Sequence, residues 1–226
     1  MRRTPVYLVA MPIGDHMEDM SVAAIRLMPT LVHVFVEPDD VVLPHLRKHK
    51  VITDKHRVHH TDAGTALPRE LVESGTPFAI IASSGIPCFV DPGYEIVDDL
   101  LERYADRVEL IPIGLSSALD AALTCAGLDI QRFIFAGHYP QCFRFDASVV
   151  ALDLPIVAFV RGSAVRDWVA RVDAEVPRFR RHLLLRDVRK RSRSAMWVLR
   201  KGAPVPDDLL DDPQADFVAV VAVPGS

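Results

Sequence analysis

Four apolar runs in this chain of 226 residues end in turns of similar chemistry. Val6–Met11 is followed by Pro12-Ile13-Gly14-Asp15, and Phe78–Ala82 by Ser83-Ser84-Gly85-Ile86-Pro87. Val108–Ile111 runs into Pro112-Ile113-Gly114-Leu115-Ser116-Ser117, and Pro155–Val160 into Arg161-Gly162-Ser163. Glycine lets the main chain approach a ligand closely and adopt positive φ. Serine at such a turn caps the next helix or bonds a ligand's polar group. Any one of these turns is ordinary; four at strand ends point to a small-molecule cleft. Asp15, Glu37, which follows the further apolar run Leu31–Val36, and Asp91 are the carboxylates best placed near strand ends, where a general base would act, and all three also suit a turn or a cap.

Other chemistries lack their residues. There is no G-x-G-x-x-G after the first run, no G-x-x-x-x-G-K-[ST], no G-x-S-x-G and no H-E-x-x-H. His56, His59 and His60 cluster downstream of His45 and His49, but no carboxylate or cysteine sits at a characteristic ligand spacing. The segment reads as a polar surface, and no metal is expected.

The elements that would position the turns alternate strand with helix. Val6–Met11, Leu31–Val36, Phe78–Ala82 and Val108–Ile111 read as buried strands. Glu18–Met28, Val41–Lys48, Leu67–Glu73, Tyr94–Tyr104 and Leu119–Cys125 read as helices, the second carrying Pro44. In the fourth, Ile96, Val97, Leu100, Leu101 and Tyr104 share a face opposite Glu95, Asp98, Asp99 and Glu102. This rhythm predicts a parallel sheet covered on both sides. After Gly127 the pattern changes. Strands are expected at Phe133–Ala136, Pro155–Val160, His182–Leu185, Ala195–Leu199 and Phe217–Val223, a helix at Val165–Val172, and a linker with a short helix over 141–153. The expected fold class is α/β, with a parallel N-terminal domain at 1–129 and a mixed-sheet domain at 130–226.

Composition sets the outer bounds. Half the residues are hydrophobic and a quarter charged, which excludes disorder, and no apolar run is long enough for a membrane span. Pro5 and Pro12 clip the apolar run behind Arg2-Arg3, so no signal peptide is expected. Cys88, Cys125 and Cys142 are odd in number and widely spaced, which argues against a disulfide framework. A soluble cytoplasmic protein is the expectation. The net charge of −4 hides an asymmetry: Arg178 to Lys201 carries ten Lys or Arg against Asp187 alone. Arg189, Lys190, Arg191 and Arg193 are its densest part and the candidates for holding nucleic-acid phosphates; a solvated, solubilising face whose charges find partners on the acidic body is the plainer account of the same charges.

In order, these segments resemble the tetrapyrrole-methylase superfamily, the class III S-adenosylmethionine-dependent methyltransferases. The likeness is to its branch that 2′-O-methylates a cytidine of small-subunit ribosomal RNA. That branch opens with a strand and T-P-I-G-N, matched by Met11-Pro12-Ile13-Gly14-Asp15. Its S-D-A-G-x-P-x-x-x-D-P-G is matched by Ser83 to Gly93, one residue shorter at the front, and its P-x-P-G-P-S-A by Pro112 to Ala118. A following F-x-x-x-G-F-L-P is similar to Phe133 to Pro140. The branch's A-E-D-T-R stands here as Val36-Glu37-Pro38-Asp39-Asp40, and the E-S of a later strand as Arg161-Gly162.

The resemblance implies two domains with S-adenosylmethionine between them. By matching position it implies Pro12, Ser84, Gly85, Ile86, Ser117, Ala118, Val160 and Arg161 as cofactor contacts, with Gly14 and Ala215 beside them. It also implies a homodimer and a methyl acceptor that is RNA. The alternatives are a small acidic acceptor such as a tetrapyrrole, whose carboxylates Arg161 would pair, or a member that binds cofactor without turnover. Neither DNA nor a membrane is expected as a partner.

Overall fold

A computed structural model describes residues 3–12, 17–38, 42–88, 92–115, 117–145, 147–187 and 195–223, with Val42 and Ala147 by main chain only. The chain divides into two compact units, 1–129 and 130–226. No helix among the described residues is long and apolar enough to cross a membrane.

The first unit contains β1 (Thr4–Val9), α1 (Val22–Leu27), β2 (His33–Val36), α2 (Val42–Lys48), β3 (Arg57–His60) and α3 (Ala66–Glu73). It continues with β4 (Phe78–Ile81), α4 (Tyr94–Tyr104), β5 (Val108–Ile113) and α5 (Ala118–Cys125). All five strands are parallel, in the order β3-β2-β4-β1-β5. A central parallel strand is buried on both faces and so reads as a continuous apolar run. β4, Phe-Ala-Ile-Ile, is such a strand, with every residue at most 1% exposed. On one face Ala24 and Met28, with Leu46 of α2, pack with Val34, Val36, Ala79 and Ile81.

Two departures from the sequence reading, at β5 and β3, and the expected helix carrying Pro44 have local causes. β5 runs two residues beyond Ile111 through Pro112, because an edge strand tolerates a missing N–H. α2 accommodates Pro44 in its first turn, where no intrahelical N–H bond is lost. Arg57–His60 is an edge strand and not merely a polar segment: it pairs with β2 in the register His33↔Arg57 to Val36↔His60. An edge strand with one solvated face has no apolar run to announce it.

The second unit contains β6 (Ile134–Tyr139), α6 (Ala147–Val150), β7 (Ile156–Arg161), α7 (Gly162–Glu175), β8 (Arg181–Arg186), β9 (Ala195–Arg200) and β10 (Asp216–Ala222). Its sheet is mixed, in the order β6-β7-β10-β8-β9: β6 and β7 are parallel and the other neighbours antiparallel. Val165, Trp168, Val169 and Val172 of α7 pack on Ile156, Ala158, Val160, Leu184, Ala219 and Val221.

His182, wholly buried in β8, places Nε2 3.3 Å from Asp173 Oδ1 of α7 and lies edge-on to Phe179. Burial pulls its pKa below 6.5, against the opposite pull of Asp173. The folded state therefore favours the neutral ring. As pH falls below about 6.5, the unfolded chain takes up a proton that the folded chain resists, so this stabilisation is complete above that pH and lost in acid. The melting temperature should fall between about pH 7.5 and about pH 5, and His182→Gln should flatten that slope. Some slope will persist, because burial also lowers the pKa of His33 and His59. An unaltered slope in the variant would refute the assignment.

Candidate active site at the strand ends

The carboxyl ends of β1, β4 and β5 lie side by side at the middle and edge of the first sheet, and their turns are tied by main-chain hydrogen bonds. Ala10 N–H donates to the Ile113 carbonyl (2.9 Å). Met11 N–H donates to the Gly85 carbonyl (2.9 Å) and Gly85 N–H to the Met11 carbonyl (3.0 Å). This reciprocal pair locks the turn after β1 onto the turn after β4. Ser84 Oγ donates to the Pro12 carbonyl (3.4 Å) and extends the same lip.

Gly85 has φ +68°, and a Cβ there would meet no atom within 4 Å. The glycine is needed for its backbone, and the space above it is open to a ligand. Gly114, at φ +83°, differs: its Cβ would lie 3.2 Å from Ser21 Oγ and 3.4 Å from the Ala10 carbonyl, so it serves packing between turns. Ser117 caps α5 by accepting from Asp120 N–H (3.0 Å), and Ala118 opens that helix. Ile86 is half-buried beside Gly85. Beneath, buried Thr124 Oγ1 of α5 donates to the Pro87 carbonyl, anchoring the turn after β4. Gly93, at φ +113°, caps α4 with only 3.3 Å between its would-be Cβ and both Ile80 and Thr61.

Of the three candidate carboxylates, the structure describes Glu37. It follows β2 and is 8% exposed. Asp15, Asp91 and Gly14 lie outside the described residues, as do Arg189, Lys190, Arg191 and Arg193.

The remaining candidates gather at one end of the second sheet. Arg161 ends β7 opposite Asp216 of β10, and Ala215 precedes that strand. The Arg161 guanidinium makes a 2.8 Å ion pair with Asp216 and donates to the Gln214 carbonyl (3.2 Å). The side chains of Val160 and Ala215 belong to the core, so a ligand would meet them through main-chain atoms. The glycine after Arg161 was expected to admit a ligand; instead its N–H bonds the Ala215 carbonyl (2.9 Å), and its would-be Cβ lies 2.2 Å from the Asp212 carbonyl oxygen.

The flanks of the basic segment are engaged within the unit. Arg178 pairs with Asp153 at 3.7 Å, and Arg186 pairs with Asp211 at 2.6 Å while lying over Trp197. Lys201 Nζ donates to the Val176 and Pro177 carbonyls, and Arg181 is 1% exposed. These pairs with Asp153 and Asp211 are what the plainer account of the segment expects, and Arg181 is turned inward. Sequence reading passed over a second basic run, Arg47 to Arg57, whose signal is five Lys or Arg against Asp54.

Residues 5–172 match the family model for Tetrapyrrole (Corrin/Porphyrin) Methylases. The chain is 31% identical over 144 residues to the ribosomal RNA small subunit methyltransferase I of Mesorhizobium japonicum, covering 60% of this chain and 45% of that one. It is 30% identical over 155 residues to the protein of that name from Rickettsia prowazekii, covering 66% and 52%. The matches thus span about half the length of these curated relatives. Among solved structures, uroporphyrin III C-methyl transferase from Thermus thermophilus aligns over 95% of this chain and 91% of its own, at 16% identity and a TM-score of 0.37.

Proposed function

The chain belongs to the tetrapyrrole (corrin/porphyrin) methylase family, and from that membership we propose that it is an S-adenosylmethionine-dependent methyltransferase acting on ribosomal RNA, with a ribose 2′-hydroxyl as acceptor. The observation that carries the cofactor reading is the open glycine at φ +68° on a lip fixed by the Met11–Gly85 hydrogen-bond pair. The RNA reading rests on the relatives' names.

When bound, the cofactor supplies an electrophilic methyl group on a sulfonium. Displacement there is in line, so the chain contributes positioning and exclusion of water more than covalent chemistry. Pro12, Ser84, Gly85 and Ile86 form a preorganised main-chain wall, and Ser117 and Ala118 bring the start of α5 to the neighbouring turn. Carbonyl oxygens with a spare lone pair suit a cationic sulfur better than side-chain nucleophiles, which would compete for the methyl. Transfer to a ribose hydroxyl would release the hydroxyl proton, which a carboxylate of this chain would have to accept. Glu37 is the described carboxylate proposed to receive it, with Asp15 and Asp91 the other candidates. Val160, Arg161 and Ala215 are proposed as further cofactor contacts from their matching positions in the family.

The deciding experiment supplies labelled cofactor with total RNA, 30S particles and a tetrapyrrole panel. Label on ribosomal RNA is expected. Label on tetrapyrroles alone would replace the acceptor, and cofactor binding without transfer to anything would mark a non-catalytic member. A cytoplasmic homodimer is the proposed assembly; light scattering at the monomer mass of 25.1 kDa would refute it.

A further inference from the structure

Arg47, Lys48, Lys50, Lys55 and Arg57 occupy the end of α2, the turn that follows and the first residue of β3, and all five are exposed. Among the described residues none of them has a carboxylate within ion-pairing distance. Other described arginines without an acidic partner, such as Arg26, Arg132 and Arg166, are scattered singly along the chain, whereas these five cations fall between residues 47 and 57. Arg69, Arg103, Arg161, Arg171, Arg178 and Arg186 each hold an acidic partner at 3.7 Å or less. In a chain with 30 acidic and 26 basic residues, a run of five unneutralised cations is not the default surface.

Their place in the fold adds to this. α2 returns from the carboxyl end of β2 to the amino end of β3, so the run lies at the end of the sheet opposite the candidate site. Cations in the last turn of α2 favour the negative end of the helix dipole, which accounts for Arg47 and Lys48 but not for Lys50, Lys55 or Arg57. Beside them Met17, Met20, Ile25 and Met28 line a groove of about 260 Å³ closed by His49 and Lys50, with Glu18 also on its wall. Met17, Met20 and Met28 are at most 8% exposed, so what the groove offers a base is Ile25 and the ring of exposed His49, while the cations beside it suit the phosphates of a single strand.

We propose that this edge of the first unit is an anchoring surface for single-stranded RNA, remote from the site of methyl transfer. The proposal rests on the reading of the acceptor as RNA. A remote anchor strengthens capture of a long acceptor without touching the reacting atoms, so its loss appears in KM and not in kcat.

The test measures binding of small-subunit ribosomal RNA across a salt series, for the intact protein and for the variant Arg47→Gln, Lys48→Gln, Lys50→Gln, Lys55→Gln, Arg57→Gln. The slope of log Kd against log salt should fall by roughly 3 to 4, since each lost single-strand phosphate contact removes about 0.7. Arg103→Gln, whose cation is already paired, should leave the slope unchanged. Melting curves and S-adenosylmethionine affinity of the five-site variant should match the parent, because every replaced side chain is exposed and distant from the cofactor turns. An unaltered slope with RNA still bound would overturn the anchoring surface and leave the RNA reading standing. Absence of RNA binding by the intact protein at low salt would overturn both.

Discussion

Gly85→Val is expected to weaken S-adenosylmethionine binding by at least about 100-fold, a loss of roughly 2.7 kcal/mol. Two effects act together. The branched side chain fills the space above the lip, where no protein atom lies within 4 Å of a would-be Cβ. It also resists φ +68°, a left-handed conformation that costs an L-residue about 1–2 kcal/mol and a β-branched one more. Relief of that strain would pull on the Met11–Gly85 hydrogen bonds and so move the turn after β1 as well.

The fold supplies its own control. Gly75, in the turn between α3 and β4, has φ +71° and likewise nothing within 4 Å of a would-be Cβ. It lies at the amino end of the sheet, where the candidate site is not. Gly75→Val therefore imposes a similar strain in similarly open space. Calorimetry and thermal melts on the two variants separate stability from occupancy: both should lose a similar few degrees, and Gly85→Val alone should lose cofactor affinity. Equal affinities in the two variants would remove Gly85 from the site.

Much of this arrangement was legible because parallel strands buried on both faces announce themselves as apolar runs. The turns that follow β1, β4 and β5 carry residues chosen by backbone geometry, so reading along the chain found Pro12, Ser84, Gly85 and Ser117. What joins them is main-chain hydrogen bonding, to which Met11, Ala10 and Ile113 contribute nothing visible as side chains; no sequence pattern marks those bonds. Which charges pair is less legible for a related reason. Arg178 and Lys201 are exposed and Arg186 is partly buried, and their partners Asp153, Asp211 and two carbonyls come from segments that the local sequence does not point to. Arg47 to Arg57 looks diluted by five histidines over 45–60, yet among the described residues no carboxylate, local Asp54 or distant, pairs with its cations. Glycines show the limit most sharply, since Gly85 and Gly162 occupy similar places after strands and serve opposite purposes.

Gly162→Ala tests that difference by its sign. Gly162 is the first residue of α7, and its φ is not in the left-handed region. Helix propensity alone would make alanine there stabilising by up to about 1 kcal/mol. Packing argues the reverse. The new Cβ would lie 2.2 Å from the Asp212 carbonyl oxygen and 3.1 Å from Pro213 main-chain atoms, so main chain and not a flexible side chain must give way. That segment is held by Gly162 N–H to the Ala215 carbonyl, Ser163 N–H to the Pro213 carbonyl and Ala215 N–H to the Asp212 carbonyl, at 2.9 to 3.1 Å. Moving it by the ångström or so that van der Waals contact demands breaks or stretches these bonds, each a net contribution of about 1 kcal/mol. Overpacking of this kind costs about 1–3 kcal/mol, and the bonded loop puts the expected loss at about 2–4 kcal/mol after the propensity gain. The melting temperature should drop by roughly 5–12 °C. A melting temperature equal to or above that of the parent would mean that the loop from Asp212 to Ala215 yields freely, and that Gly162 is left free to meet a ligand after all.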